Sequence, residues 1–293
     1  MRDVAIVTDG SCDLPEDILK KYHIFVVPFN VILGSTVYKA FGNFGTISKD
    51  EFYTKILTEK IIPSTSLPAP KAFIDTFQAA LKEAKEVVAI LLSSELSATY
   101  NSAKMALNYF EKDEIHLIDS RVAASTLGLL AMEAAKLALA NASVPEIISH
   151  VNSLIPQARL ISILDNVEAT YRSGRISWGR KFLTHAFKLH PILNFKDGRL
   201  VSAGVIHGSR KKIFKKMLSI APLVLENAIT DTIFILHVHS QEKALKLKEQ
   251  MEKTNTKGKI IHVQEAGPVI GVHVGLYALA YMYIGNYNSK WLL

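Results

Sequence analysis

The chain has 293 residues, 49% hydrophobic and 21% charged, with a net charge of +7 and a single cysteine, Cys12. This length predicts two domains, and the composition excludes a disordered chain. One cysteine rules out an intrachain disulfide or a cysteine-built metal cluster, which fits a reducing, cytoplasmic setting.

In chain order, β-branched apolar runs predict strands at Val4–Thr8, Phe25–Leu33, Val87–Leu92 and Ile115–Ile118. Helical periodicity predicts helices at Pro15–Tyr22, Lys49–Glu59, Pro70–Lys85, Ala98–Phe110 and Val122–Ala140. Alternation of this kind implies parallel strands covered by helices, and the unbroken run VVAILL implies burial on both faces. The first apolar run stops after four residues, too short for the core of a signal peptide. A further helix, Pro145–Gln157, has Ser143 as its N-cap. The strand-like ARLISIL follows, so the domain boundary is set near Arg159: an N-terminal domain over 1–158 and a C-terminal one over 159–293.

The C-terminal half reads as a short helix near Asn166–Arg172, a basic helix–loop region to about Phe195, and a KDGR hairpin turn at Lys196–Arg199. A basic helix, Arg210–Ala221, comes next. Then follow strand Thr232–His239, helix Gln241–Lys253 and strand Lys259–Gln264. The fold class is therefore α/β with two domains. Gly267–Gly285 carries no charge apart from His273, but Gly267, Pro268, Gly271 and Gly275 interrupt it. It reads as a strand or turn feeding a buried helix, not as a membrane span.

Charge is unevenly placed. Arg172–Lys216 holds twelve Lys/Arg against one acid, Asp197, for a local charge of +11. This predicts either an anionic partner or a set of solvated helix faces. A nucleic-acid reader is not indicated, because no recognition module or stacking repeat accompanies the charge.

Three predicted strands run into polar residues: Thr8–Ser11, Ser93–Ser94 and Asp119–Ser120. Ligands of open parallel sheets bind beyond such strand ends, although the same residue types also cap helices. SSELSATYNSA at Ser93–Ala103 places hydroxyls before a helix, an arrangement suited to a carboxylate. Ser64, Thr65 and Ser66 sit in a loop fixed by Pro63 and Pro68. No nucleophile elbow, zinc-binding helix, Walker loop or dinucleotide fingerprint is present. His237 and His239 share one strand face but lack a third ligand, so no metal is expected. His273 is either a satisfied core residue or a donor to a buried carboxylate.

Together these motifs resemble the DegV family, the fatty-acid-binding proteins that serve as lipid-presenting subunits of bacterial fatty acid kinase. VTDGSCDLP resembles the family's Asp-Ser-Thr-Ala-Asp-Leu-Pro, and PSTSLP its Thr-Ser-Gln-Pro loop. SSELSATYNSA resembles its Ser-Ser-x-Leu-Ser-Gly-Thr-Tyr, SGRIS its Gly-Gly-Arg-Ile and GVHVG its Thr-His-Thr-Gly. The resemblance spans nearly the whole chain. It implies a long-chain fatty acid at the domain interface, with most of the acyl tunnel in the C-terminal domain. It implies carboxylate ligands at Thr65, Ser66, Ser93, Ser94 and His273, with Arg172, Arg175, His207 and Arg210 facing a kinase. It further implies no catalysis, no cofactor, no nucleic acid, and at most transient membrane contact.

The chain departs from the family pattern at Gly10, Ser11, Cys12, Val272, Ser173, Leu276 and Tyr277. Val205 and His207 stand where the family has Lys-x-Arg, which weakens the expected kinase surface more than the lipid site. The alternative reading is a hydrolase or acyltransferase with Ser93 or Ser94 as nucleophile, His273 as base and Asp9 or Asp119 as orienter.

Overall fold

A computed structural model describes residues 2–40, 45–164, 167–176 and 189–292. They group into two units: one runs to Pro156 and includes Gly267–Ile270, and the other holds Gln157–Ala266 and the chain from Gly271.

The first unit is built on a parallel sheet of β1 (Arg2–Asp9), β2 (Ile24–Val27), β6 (Ala84–Leu91) and β7 (Ile115–Asp119), in the order β2-β1-β6-β7. Helices α1 (Glu16–Tyr22), α3 (Pro70–Leu81), α4 (Thr99–Ala106), α5 (Ala124–Leu139) and α6 (Val144–Leu154) alternate with these strands. Continuous apolar strands are what a doubly covered sheet requires: Val87, Val88, Ala89, Ile90 and Leu91 are all buried. Phe73 and Phe77 of α3 pack with Ala5, Val7 and Val87 into one core cluster. Ser143 is the N-cap of α6, as expected, and Glu146 adds a box to it. The Ser143 N–H donates to Glu146 Oε2 at 2.8 Å, and its hydroxyl donates to the same oxygen at 2.6 Å.

The structure corrects one predicted strand. Phe25–Leu33 is not continuous: it splits into β2 and β3 (Phe29–Leu33), which belong to different sheets. Pro28 lies at the break, where it offers no N–H to a ladder. β3 joins β4 (Thr36–Ala40) and β5 (Ser64–Ser66) in a small antiparallel sheet. The Ser64–Ser66 segment is therefore a strand, not a loop. Helix α2 (Lys49–Glu59) lies between β4 and β5, capped by Ser48 Oγ, which accepts from the Glu51 N–H at 3.1 Å.

The second unit is a six-stranded mixed sheet in the order β10-β9-β8-β13-β11-β12. Its strands are β8 (Ala158–Ile163), β9 (Leu189–Lys196), β10 (Arg199–His207), β11 (Thr232–His237), β12 (Ile260–Glu265) and β13 (Leu279–Ile284). The Asp197–Gly198 turn joins β9 to β10 as predicted, with both residues at positive φ. Helices α7 (Glu168–Arg172), α8 (Arg210–Asn227) and α9 (Gln241–Glu252) follow β8, β10 and β11. Ile213, Met217 and Val224 of α8 pack on Ile161, Ile233 and Tyr281 of the sheet. The predicted basic helix–loop region falls mainly on residues 177–188, outside the described residues, as do 165 and 166 at the start of the predicted short helix.

The stretch around His273 is also corrected. It is a short helix, α10 (Pro268–Val274), followed by strand β13, the reverse of the expected order. Pro268 opens the helix, where a missing N–H costs nothing. The aromatic-rich LAYMYI then suits a strand buried on both faces, and β13 pairs with both β8 and β11.

Candidate functional site

In the first unit, the polar ends of β1, β6 and β7 lie side by side, but they do different work. Asp9 is fully buried and accepts three hydrogen bonds: from the Ser11 N–H (3.0 Å), the Ser11 hydroxyl (2.5 Å) and the Leu92 N–H (2.7 Å). It ties the end of β1 to the end of β6. Burial pushes its carboxyl above the usual range, and the three donors oppose that shift.

Ser93 is fully buried and shapes the turn after β6. Its N–H donates to the Val122 carbonyl at 3.0 Å, and its Oγ accepts from the Glu95 N–H at 3.3 Å. Ser94 is half-buried and turns toward β7. Its hydroxyl donates to Asp119 Oδ2 at 2.6 Å, and its N–H donates to Oδ1 at 3.2 Å. Asp119 also receives the Arg121 N–H (3.1 Å) and the Arg121 guanidinium (3.4 Å). A serine has one O–H to give, so Ser94 donates to another carboxylate only after leaving Asp119. It is also not held by a histidine, as a hydrolase nucleophile would be.

Thr65 and Ser66 are neighbours on β5, opposite Val31 and Asn30 of β3. Adjacent residues of a strand project to opposite faces, so the structure separates these two hydroxyls. Asn30 Nδ2 donates to Ser66 Oγ at 3.2 Å, which leaves the Ser66 O–H available for another acceptor. The Ser102 hydroxyl of α4 donates to the Pro68 carbonyl at 2.6 Å and so fastens the PSTSLP segment to the SSELSATYNS helix. Sequence reasoning missed Asn30, Ser102 and Arg121. Asn30 and Ser102 lie more than thirty residues from their partners, and only the fold joins them; Arg121 is two residues from Asp119 but carries no motif of its own.

In the second unit, His273 lies on α10. Burial lowers its pKa to about 4, and the nearby Arg175 guanidinium adds to the effect. His273 is therefore a neutral imidazole at pH 7, with one N–H to donate. Helix α7, which ends three residues before Arg175, lies close to the end of α10. Gly275 has φ +77°, and a Cβ there would stand 2.8 Å from Ala169 Cβ of α7. Among the predicted partner-facing residues, Arg175 thus shares the surroundings of His273, while Arg172 is exposed and pairs with Glu168. His207 is exposed at the end of β10. Arg210, the first residue of α8, and Lys243 of α9 line a cavity of about 240 Å³ together with Ile163, Ile213, Met217 and Leu279. A larger groove of about 810 Å³ follows the open edge of β2 between α1 and α3, and no predicted site residue lines it.

No three His, Cys, Asp or Glu side chains converge as a metal site, and no helix is long and apolar enough to cross a membrane, among the described residues.

This arrangement defines a class: a two-unit α/β protein with hydroxyls at strand ends, a neutral half-buried histidine and a small cavity lined by apolar side chains and two cations. A family model described as "Uncharacterised protein, DegV family" matches residues 3–286. A DegV domain-containing protein of Caldanaerobacter subterraneus is 38% identical over 213 residues, 73% of this chain and 75% of that protein. The chain belongs to the DegV family. A DegV family protein of Thermus thermophilus, whose solved structure concerns fatty acid binding, is 26% identical and superposes with a TM-score of 0.84, covering 98% of this chain and all of that one. DegV of Bacillus subtilis, described as a fatty acid binding protein, shares the fold with a TM-score of 0.85 at 23% identity, covering 98% of this chain and 100% of its own.

Proposed function

We propose that this protein binds a long-chain fatty acid without transforming it and presents the carboxyl group to a fatty acid kinase. The observation that carries the reading is the full-length likeness to the Thermus thermophilus protein at 26% identity and TM-score 0.84. The cavity under α8 supports it, with Ile163, Ile213, Met217 and Leu279 as apolar lining and Arg210 and Lys243 as cations for an acid. At about 240 Å³ it is smaller than the ~300–1,000 Å³ typical of drug-sized ligand pockets, and has room for a segment of acyl chain. Each buried CH₂ contributes ~0.8 kcal/mol, so a long chain binds well without any catalytic machinery.

The carboxylate is assigned to hydroxyls at Thr65 or Ser66 and at Ser93 or Ser94, with the neutral His273 as a further donor. A carboxylate leaving water needs several donors, and this set supplies them without a nucleophile–base pair or a cofactor. Hand-over to a kinase rests on the +11 charge of Arg172–Lys216, with Arg175 close to the head-group donor.

The test is native mass spectrometry of protein purified from a heterologous host, followed by lipid extraction. A co-purified fatty acid of one equivalent is expected. Protein that arrives empty and takes up no labelled oleate refutes the reading.

A further inference from the structure

The turn that follows β1 has work left over once Asp9 is accounted for. Asp13 sits in this turn at φ +48° and is 5% exposed. Its Oδ1 accepts the Gly267 N–H at 2.8 Å, joining residues 254 apart in sequence. Its Oδ2 is buried and makes no hydrogen bond among the described residues. The turn is packed tightly on a second side: a Cβ on Gly128 of α5 would stand 2.7 Å from the Cys12 carbonyl and 2.6 Å from Leu14. Gly267 is crowded as well: a Cβ there would stand 2.8 Å from Asp13 Oδ1, so a larger residue would have to push the carboxyl aside.

Burying a half-satisfied carboxyl is costly, whereas asparagine would tolerate the same left-handed backbone without a buried charge. Burial pushes the Asp13 acid up to about 7, against the Gly267 N–H and the Lys49 charge, which favour the carboxylate. What the carboxyl provides is an acceptor for the residue immediately before Pro268, where α10 starts.

We propose that Asp13 is a positioning residue for ligand binding: through Gly267 it fixes the start of α10, the helix that carries His273. The turn belongs to the opening VTDGSCDLP motif, and this assignment gives its last acid a role that touches no ligand. It rests on the fatty-acid reading for its consequence, but not for its geometry.

The test uses the full chain and three variants. Asp13→Ala removes the acceptor, Gly267→Ala crowds it from the other side, and Asp13→Asn keeps an oxygen in place. Oleate binding is followed by titration, and the His273 ring by ¹H–¹⁵N NMR of the ligand-free protein. Asp13→Ala and Gly267→Ala are expected to weaken oleate binding by about tenfold or more, the equivalent of about 1.4 kcal/mol, and to move the His273 ring signals. Asp13→Asn should restore both. If Asp13→Ala fails to fold, Gly267→Ala and Asp13→Asn carry the comparison. If the wild-type protein binds no oleate, the fatty-acid reading fails, and the ring signals alone decide the positioning role. Folded Asp13→Ala and Gly267→Ala proteins with unmoved His273 signals overturn it.

Discussion

Two titratable residues, the buried Asp13 and the half-buried His273, pull stability in opposite directions as pH changes. His273 has its pKa lowered from 6.5 to about 4, so the folded state resists its protonation. Stability is fully present above pH 6.5 and is lost as pH falls toward 4. Asp13 has its pKa raised from 3.8 to about 7, so the folded state resists its ionisation. Its contribution is present below pH 3.8 and is lost as pH rises toward 7. His273→Gln should therefore flatten the loss of stability between pH 6.5 and 4, by on the order of 3 kcal/mol at most. Asp13→Asn should melt higher than wild type at pH 8 and show no such advantage below pH 4. Thermal melts across the pH range check both, and a parallel shift of all three curves would contradict the assignment. A bound carboxylate beside His273 would favour the imidazolium, so fatty acid should protect the protein most on the acid side.

At the scale of elements, β5 decides which hydroxyls act together. Thr65 and Ser66 point to opposite faces of a three-residue strand, so one ligand head meets only one of them. Single substitutions should be unequal. One of Thr65→Ala and Ser66→Ala is expected to weaken oleate binding by roughly tenfold, the loss of a hydrogen bond to a charged group, and the other to leave it within about twofold. Equal losses from both would argue against the strand geometry. The sequence could not show this. STS between two prolines carries the marks of a loop, and it becomes a strand only because β3 offers a free edge to it. The same limit applies to β13. The composition of Leu279–Ile284 suits a strand, but its place between β8 and β11 depends on pairings 117 or more residues away for β8 and about 45 for β11. By contrast, the parallel strands β1 and β6 were legible because burial on both faces leaves unbroken apolar runs, and the edge strand β7 from its β-branched Ile115 and Ile118. The hydroxyl motifs were legible as residue types at strand ends. Their division of labour was not, because Asp119, Arg121 and Asn30 reach them only through the fold.

At the scale of the whole molecule, the basic surface of α8 carries a cost that the fold does not explain. Helix α8 opens with Arg210, Lys211 and Lys212, followed by Lys215 and Lys216, and has no acid in its first turn. Cations at a helix N-terminus oppose the helix dipole, each at a cost of about 0.3–1 kcal/mol. Ser209 caps the helix, its Oγ accepting from the Lys212 N–H at 3.4 Å, but this does not remove the charge. Lys211 and Lys215 are exposed, so packing does not explain them either. A charge arrangement that destabilises its own helix and fills no core is best accounted for by an external anionic surface, here the proposed kinase. The double variant Lys211→Glu/Lys215→Glu separates the two costs. It should raise the melting temperature by a few degrees, as relief of the dipole conflict requires, and leave oleate binding intact. Formation of acyl phosphate by an added fatty acid kinase should fall several-fold, most strongly at low ionic strength, where attraction between exposed charges is least screened. Unchanged phosphorylation at low salt would remove α8 from the docking surface and leave the hand-over to Arg175 and its neighbours.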